Sequence, residues 1–171
     1  HGILDHAFIY GCDEAPKDTH DQVQRAVKIL KEEFPGVPIF TTAYDHEFGV
    51  NTSLACMDWF CPLTGDWNPK VTEALRAKGK RIWWYTCCSP FDPYLNVASI
   101  EYPFADGRLL GWQTHLVGAD GYLFWVVNFW NDRQKLMDEG DTYFPNWSSK
   151  IGNDVHGDGL LLYTDGVTEA T

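Results

Sequence analysis

Short apolar runs alternate with amphipathic segments of helical period along most of the chain. Residues 6–12 (HAFIYGC) are nearly unbroken in apolar character and end in charge, the pattern of a buried strand. Thr19 and Gln22 make a capping box, which predicts a helix opening at Thr19 with Val23, Ala26, Val27, Leu30 and Phe34 on one face. Pro35 and Gly36 stop it. Residues 37–43 and 54–60 read as the second and third strands, separated by a polar, Gly49-containing loop. Pro69 suits the first turn of a helix that runs to about Lys78 and is ended by Gly79. Residues 81–88 form a fourth strand, a helix is expected over about 104–117, and residues 121–130 form a fifth and most apolar strand. A long polar stretch over 131–156 precedes a short final strand at 159–163.

Strands that alternate with helices, and that are apolar on both faces, imply an α/β fold with a parallel sheet covered by helices. Two architectures fit: a doubly wound open sheet, or part of a (β/α)8 barrel. The segment after the first strand, GCDEAPK, is neither GxGxxG nor a phosphate loop, which removes the usual reason to prefer a nucleotide-binding sheet. In a barrel the residues just past each strand collect on one catalytic face. Here these are Asp13 and Glu14, Tyr44 and Asp45, Asp58 and Trp59, Tyr85 to Cys88, and Asn128 to Trp130. Carboxylates, amides and aromatic rings in that arrangement make the composition of a carbohydrate site. The expectation is therefore a TIM-type (β/α)8 barrel of which this chain covers roughly the C-terminal five βα units. Residues 1–171 would form a single catalytic-type domain, a fragment of a longer barrel. An open part-barrel exposes apolar strand edges, so a longer native protein or a homodimer is expected to cover them.

Composition sharpens this. With 8 Trp, 8 Tyr and 10 Phe in 171 residues, the chain holds more aromatic surface than filling a core requires, so some rings are expected to line a pocket. A net charge of −11 argues against nucleic acid and anionic membranes as partners. Five cysteines without paired CxxC spacing read as thiols rather than a disulfide framework or zinc site, and His20, His46, His115 and His156 lack metal-ligand spacing. No metal or other cofactor is expected. The opening HGILDHAF has neither an initiator Met nor a signal-peptide layout, so processing or a longer parent is expected.

Asp13-Glu14 is the leading chemical candidate. Neighbouring residues in a regular strand face opposite ways, so both reach one cleft only where the strand ends and the backbone turns, and Gly11 and Pro16 bracket such a place. Two like charges held close raise the pKa of one, and a carboxyl kept protonated near neutrality is what a general acid needs. The competing reading is a solvated pair at the start of the first helix.

Six segments, YGCDEAP (10–16), RIWWYTCCSP (81–90), YLN (94–96), RLLGW (108–112), GADGYLFWVVNFW (118–130) and GDGLLLY (157–163), occur in this order. Together they resemble the catalytic domain of the domain-of-unknown-function family numbered 4091, which is related to glycoside hydrolase family 123. That resemblance implies a (β/α)8 barrel, a periplasmic or secreted location, and release of terminal β-linked N-acetylgalactosamine by substrate-assisted, retaining catalysis. Carried over, Glu14 is the general acid/base, and Asp13 orients the substrate 2-acetamido group whose carbonyl oxygen attacks the anomeric carbon. Neighbouring carboxylates then suffice, because the substrate supplies the nucleophile.

Most of the remaining candidates carry two readings each. Tyr85 either bonds the acetamido group or a hydroxyl of the sugar, or packs at the barrel rim. Trp125 and Trp130 are candidates for a wall under the sugar, whereas Trp84, mid-strand, reads as core. Asn128, polar within an apolar run, meets substrate or caps backbone. Tyr44 to Glu47 contact sugar hydroxyls or form a solvated loop. Asp58, on a neighbouring strand, is a candidate for the distant second carboxylate of a conventional glycosidase with Glu14. A non-catalytic carbohydrate-binding or scaffold domain of the same fold is the non-enzymatic alternative.

Overall fold

The computed structural model describes residues 2–128, 150–151, 155–156, 158–159 and 161. The chain divides into two compact units, His1–Tyr85 with Thr114–Leu123, and Thr86–Gln113 with Phe124–Thr171.

In the first unit, β1 (Ile9–Cys12), β2 (Ile39–Thr41), β3 (Trp59–Phe60) and β4 (Arg81–Ile82) form a four-stranded sheet in chain order, with every neighbouring pair parallel. Helix α1 (His20–Glu33) links β1 to β2, and α2 (Pro69–Arg76) links β3 to β4. The chain then continues through β5 (Trp84–Thr86), which pairs with β6 (Tyr122–Phe124) after helix α3 (Phe104–Leu116). The alternation of apolar runs thus gives the α/β class and parallel sheet expected of it.

Alternation along the strands gives the sheet two unlike faces. Ile39, Phe60 and Ile82 point to the helix side and close a core with Val27, Phe48, Leu54, Met57 and Leu75, against which Ile9 and Cys12 pack. Full burial of each such side chain contributes about 1.5–3 kcal/mol. The opposite-parity residues Phe8, Tyr10, Phe40, Trp59 and Trp83 meet ring to ring, with centroids 5.2 to 6.0 Å apart. The Arg81 guanidinium lies 5.1 Å from the Trp59 ring centre. Part of the aromatic excess lies on this second face.

Several local expectations change. The predicted capping box does not form: Lys17–Thr19 is a 3-10 turn, Thr19 already has helical backbone angles, and its hydroxyl donates to the Pro16 carbonyl at 2.8 Å. Asn68 does cap α2, accepting from the Val71 amide. The run 54–60 is not one strand. Ser53–Cys56 is a 3-10 turn that sends Leu54 into the core, and β3 begins only at Trp59. The fifth strand is likewise shorter than its apolar run among the described residues, covering Tyr122–Phe124. The loop after β2 is solvated at Tyr44, His46 and Glu47 but not at Asp45. Asp45 is buried and accepts from the Glu47 and Gly49 amides and the Thr52 hydroxyl, pinning a turn in which Phe48 also enters the core.

The second unit is organised around Asn96, which is 1% exposed. Its amide nitrogen donates to the Cys87 and Pro90 carbonyls, and its amide oxygen accepts from the Val97 and Ala98 amides. Such complete satisfaction of a buried amide identifies a loop organiser. Strands β7 (Lys150–Ile151) and β8 (Val155–His156) pair antiparallel within the expected polar stretch. Residues 158–159 form a turn where the final strand was expected to begin, and most of that strand lies outside the described residues.

One irregularity positions the site. Tyr10 faces Phe40 while Cys12 faces Thr41, so Gly11 is an extra residue, a β-bulge. A Cβ at Gly11 would lie 2.6 Å from Cγ2 of Ile39, a fully buried core residue. Gly11→Ala must displace that side chain or the bulge, so it is expected to lower unfolding stability by about 1–3 kcal/mol. A urea midpoint equal to that of the wild type would show that the bulge tolerates a side chain.

Candidate active site

The bulge changes the phase of β1. Cys12 packs on the helix side, so Asp13 turns to the aromatic side, the side of Tyr10. In a regular strand residues three apart face opposite ways. Here the Tyr10 hydroxyl donates to Asp13 Oδ1 at 2.7 Å. The same Oδ1 accepts from the Thr42 hydroxyl at 3.0 Å, and Tyr10 and Thr42 hydroxyl oxygens are themselves 2.7 Å apart. Burial, and next the bond to the Asp13 carboxylate, hold the Tyr10 phenol well above the usual tyrosine range, against the opposing pull of Thr42. Tyr10 is therefore a donor at any pH at which a folded protein works. Among the described residues the hydrogen bonds to the Asp13 carboxylate fall on Oδ1, and Asp13 is exposed.

Glu14 is held differently. Its φ is +41°, in the left-handed region, where a residue with a Cβ is strained. Its amide donates to Thr42 Oγ1 at 3.0 Å. Its carboxylate takes two phenols, Tyr85 on Oε1 at 2.5 Å and Tyr44 on Oε2 at 2.7 Å. Tyr85 is 3% exposed and is fixed within β5, whereas Tyr44 is 46% exposed and stands on the loop pinned by Asp45. Phe48 and Asn51 also take positive φ, and what sets Glu14 apart from them is the pair of phenols on its carboxylate.

The structure thus brings together Asp13, Glu14, Tyr44 and Tyr85 at the C-terminal edge of the parallel strands. It does not bring Asp58 there. Because β3 starts at Trp59, Asp58 precedes its strand and sits at the N-terminal edge of the sheet. Its Oδ2 accepts from the Ile39 amide at 3.0 Å and its Oδ1 from Lys31 of α1 at 2.9 Å. Asp120, ahead of β6, repeats this: Oδ2 accepts from the Ile82 amide at 2.7 Å and pairs with Arg76 of α2 at 3.3 Å. Each carboxylate caps the start of a neighbouring strand and neutralises a cation from a sheet helix. That is scaffolding, and Asp58 is corrected to that role.

Trp125 and Asn128 belong to the second unit. The Trp125 indole donates to Asp158 at 2.7 Å while its ring stays 40% exposed, and Asn128 is exposed just past β6. Trp130 lies outside the described residues. Sequence reasoning did not single out Tyr10 or Thr42 as functional residues. The available signal was Gly11, a glycine inside a strand pattern beside a carboxylate pair.

Compared with known families, the chain matches the model described as glycoside hydrolase 123, catalytic domain, over residues 1–163. The chain belongs to the glycoside hydrolase 123 catalytic-domain family. No curated protein matches it. As a member of this family the chain is a glycosidase domain. For this glycoside hydrolase 123 domain, the strain at Glu14 makes a prediction independent of turnover. Glu14→Gly and Glu14→Ala lose the same carboxylate contacts, but only Ala keeps a Cβ at positive φ. The Gly variant is expected to be the more stable by about 1 kcal/mol in urea unfolding. Equal stability would show that the backbone at Glu14 is relaxed.

Proposed function

We propose that this domain hydrolyses terminal β-N-acetylgalactosaminides by substrate-assisted, retaining catalysis. The observation that carries this is the adjacency of Asp13 and Glu14 at one strand end, with Asp58 held at the opposite edge. Two carboxylates on neighbouring residues are not spaced to straddle a sugar ring as acid and nucleophile, which supports the reading, implied by the family resemblance, that the substrate supplies the nucleophile. In this mechanism Asp13 Oδ2 accepts the acetamido N–H, which steers the acetamido carbonyl oxygen onto the anomeric carbon. Glu14 passes a proton to the departing glycosidic oxygen, and then takes one from the water that opens the cyclised intermediate. Tyr85 stays on Oε1, while the exposed Tyr44 gives up Oε2 to the leaving group. The choice of galactosamine follows the family resemblance. Trp125, Asn128 and Trp130 are proposed as sugar contacts from the sequence pattern alone.

We also propose that the sheet belongs to a (β/α)8 barrel in a longer protein. Consecutive parallel strands in chain order suit a barrel, and the aromatic face opposite the helices would be its interior.

In the full native protein, Glu14→Gln is expected to slow hydrolysis of an aryl β-N-acetylgalactosaminide by about 10²–10⁴-fold. A thiazoline that mimics the cyclised intermediate is expected to inhibit competitively. Full activity in the Gln variant would remove Glu14 from the chemistry.

A further inference from the structure

We infer that the Thr42 hydroxyl is the joint that fixes Asp13 and Glu14 relative to each other, making Thr42 a positioning residue for the pair. This deepens the catalytic proposal above and, for its kinetic part, rests on it.

Thr42 follows β2 and is 2% exposed. Its own amide bonds the Cys12 carbonyl at 3.3 Å, so the backbone register of the two strands sets where its hydroxyl stands. That hydroxyl has one proton and two lone pairs. It donates to Asp13 Oδ1, accepts from the Glu14 amide, and lies against the Tyr10 hydroxyl. One atom therefore holds the side chain of one carboxylate and the backbone of the other. Between Tyr10 and Thr42 there are two hydroxyl protons for three short contacts, so when both are given to Asp13 Oδ1 the Tyr10–Thr42 contact carries none. Holding the Glu14 amide also constrains the residue at its left-handed φ, which sets where its carboxylate emerges.

Thr42→Val keeps the shape and removes the hydroxyl, whereas Thr42→Ser keeps the hydroxyl. In the full native protein, Thr42→Val is expected to lower kcat on the aryl β-N-acetylgalactosaminide about 10–100-fold with KM changed less than about threefold, because misplacement penalises the transition state. Thr42→Ser should restore most of that loss. Tyr10→Phe, which removes only one of the two donors to Asp13, should fall between them.

Amide hydrogen exchange at Glu14, followed by NMR, reads the joint without any substrate. Exchange should quicken about tenfold in Thr42→Val with the β2 amides unchanged, and stay at the wild-type rate in Thr42→Ser. Unchanged exchange at Glu14 in the Val variant, or a Val variant with wild-type kcat, would overturn the joint. A parent protein inactive on every aryl N-acetylhexosaminide would sink the hexosaminidase proposal instead. Glu14 exchange would then decide the joint alone.

Discussion

A first strand running regularly to its end would put Tyr10 and Asp13 on opposite faces of the sheet, and Asp13 would point among the helix-side aliphatics. The extra residue at Gly11 removes that conflict. It lets Cys12 pack in the core while Asp13 joins Tyr10 and Thr42, and the turn that follows throws Glu14 into the left-handed region. Only glycine fits, because the Ile39 side chain occupies the place of a Cβ. The catalytic proposal, the hydrogen-bond triangle and the strain at Glu14 all depend on this one irregularity of packing.

The two edges of the sheet are used for different ends. At the N-terminal edge, Asp58 and Asp120 repeat one device, in which a carboxylate caps a neighbouring strand and pairs with a helix cation. At the C-terminal edge, carboxylates are met by hydroxyls rather than cations: Tyr10 and Thr42 for Asp13, Tyr44 and Tyr85 for Glu14. Phenols and a threonine hydroxyl, unlike a lysine or arginine, orient a carboxylate without placing a full charge beside it.

Much of this was legible in the sequence. Near-continuous apolar runs located β1, β2 and β4, and charge at the end of the first run pointed to Asp13 and Glu14. Asp58 was misplaced because the run 54–60 mixes two sources of hydrophobicity: Leu54 and Met57 enter the core from a 3-10 turn and its exit, and only Trp59 and Phe60 form a strand. Periodicity cannot divide so short a segment. Asp45 looked solvated because nothing in its neighbours announces a carboxylate that binds its own loop. Thr42 was hidden as the second of two threonines in a strand-like run, and its role exists only once the bulge sets the register between two strands.

The central claim is that Asp13 and Glu14 sit side by side because the substrate acetamido group is the nucleophile. The most direct measurement is kcat for aryl β-N-acetylgalactosaminides carrying acetyl, fluoroacetyl, difluoroacetyl and trifluoroacetyl groups on the amide nitrogen, assayed with the full native protein. Each fluorine weakens the carbonyl oxygen as a nucleophile without much change in size, so kcat should fall stepwise along the series. A flat series, with hydrolysis proceeding equally well on the trifluoroacetyl substrate, would contradict the account.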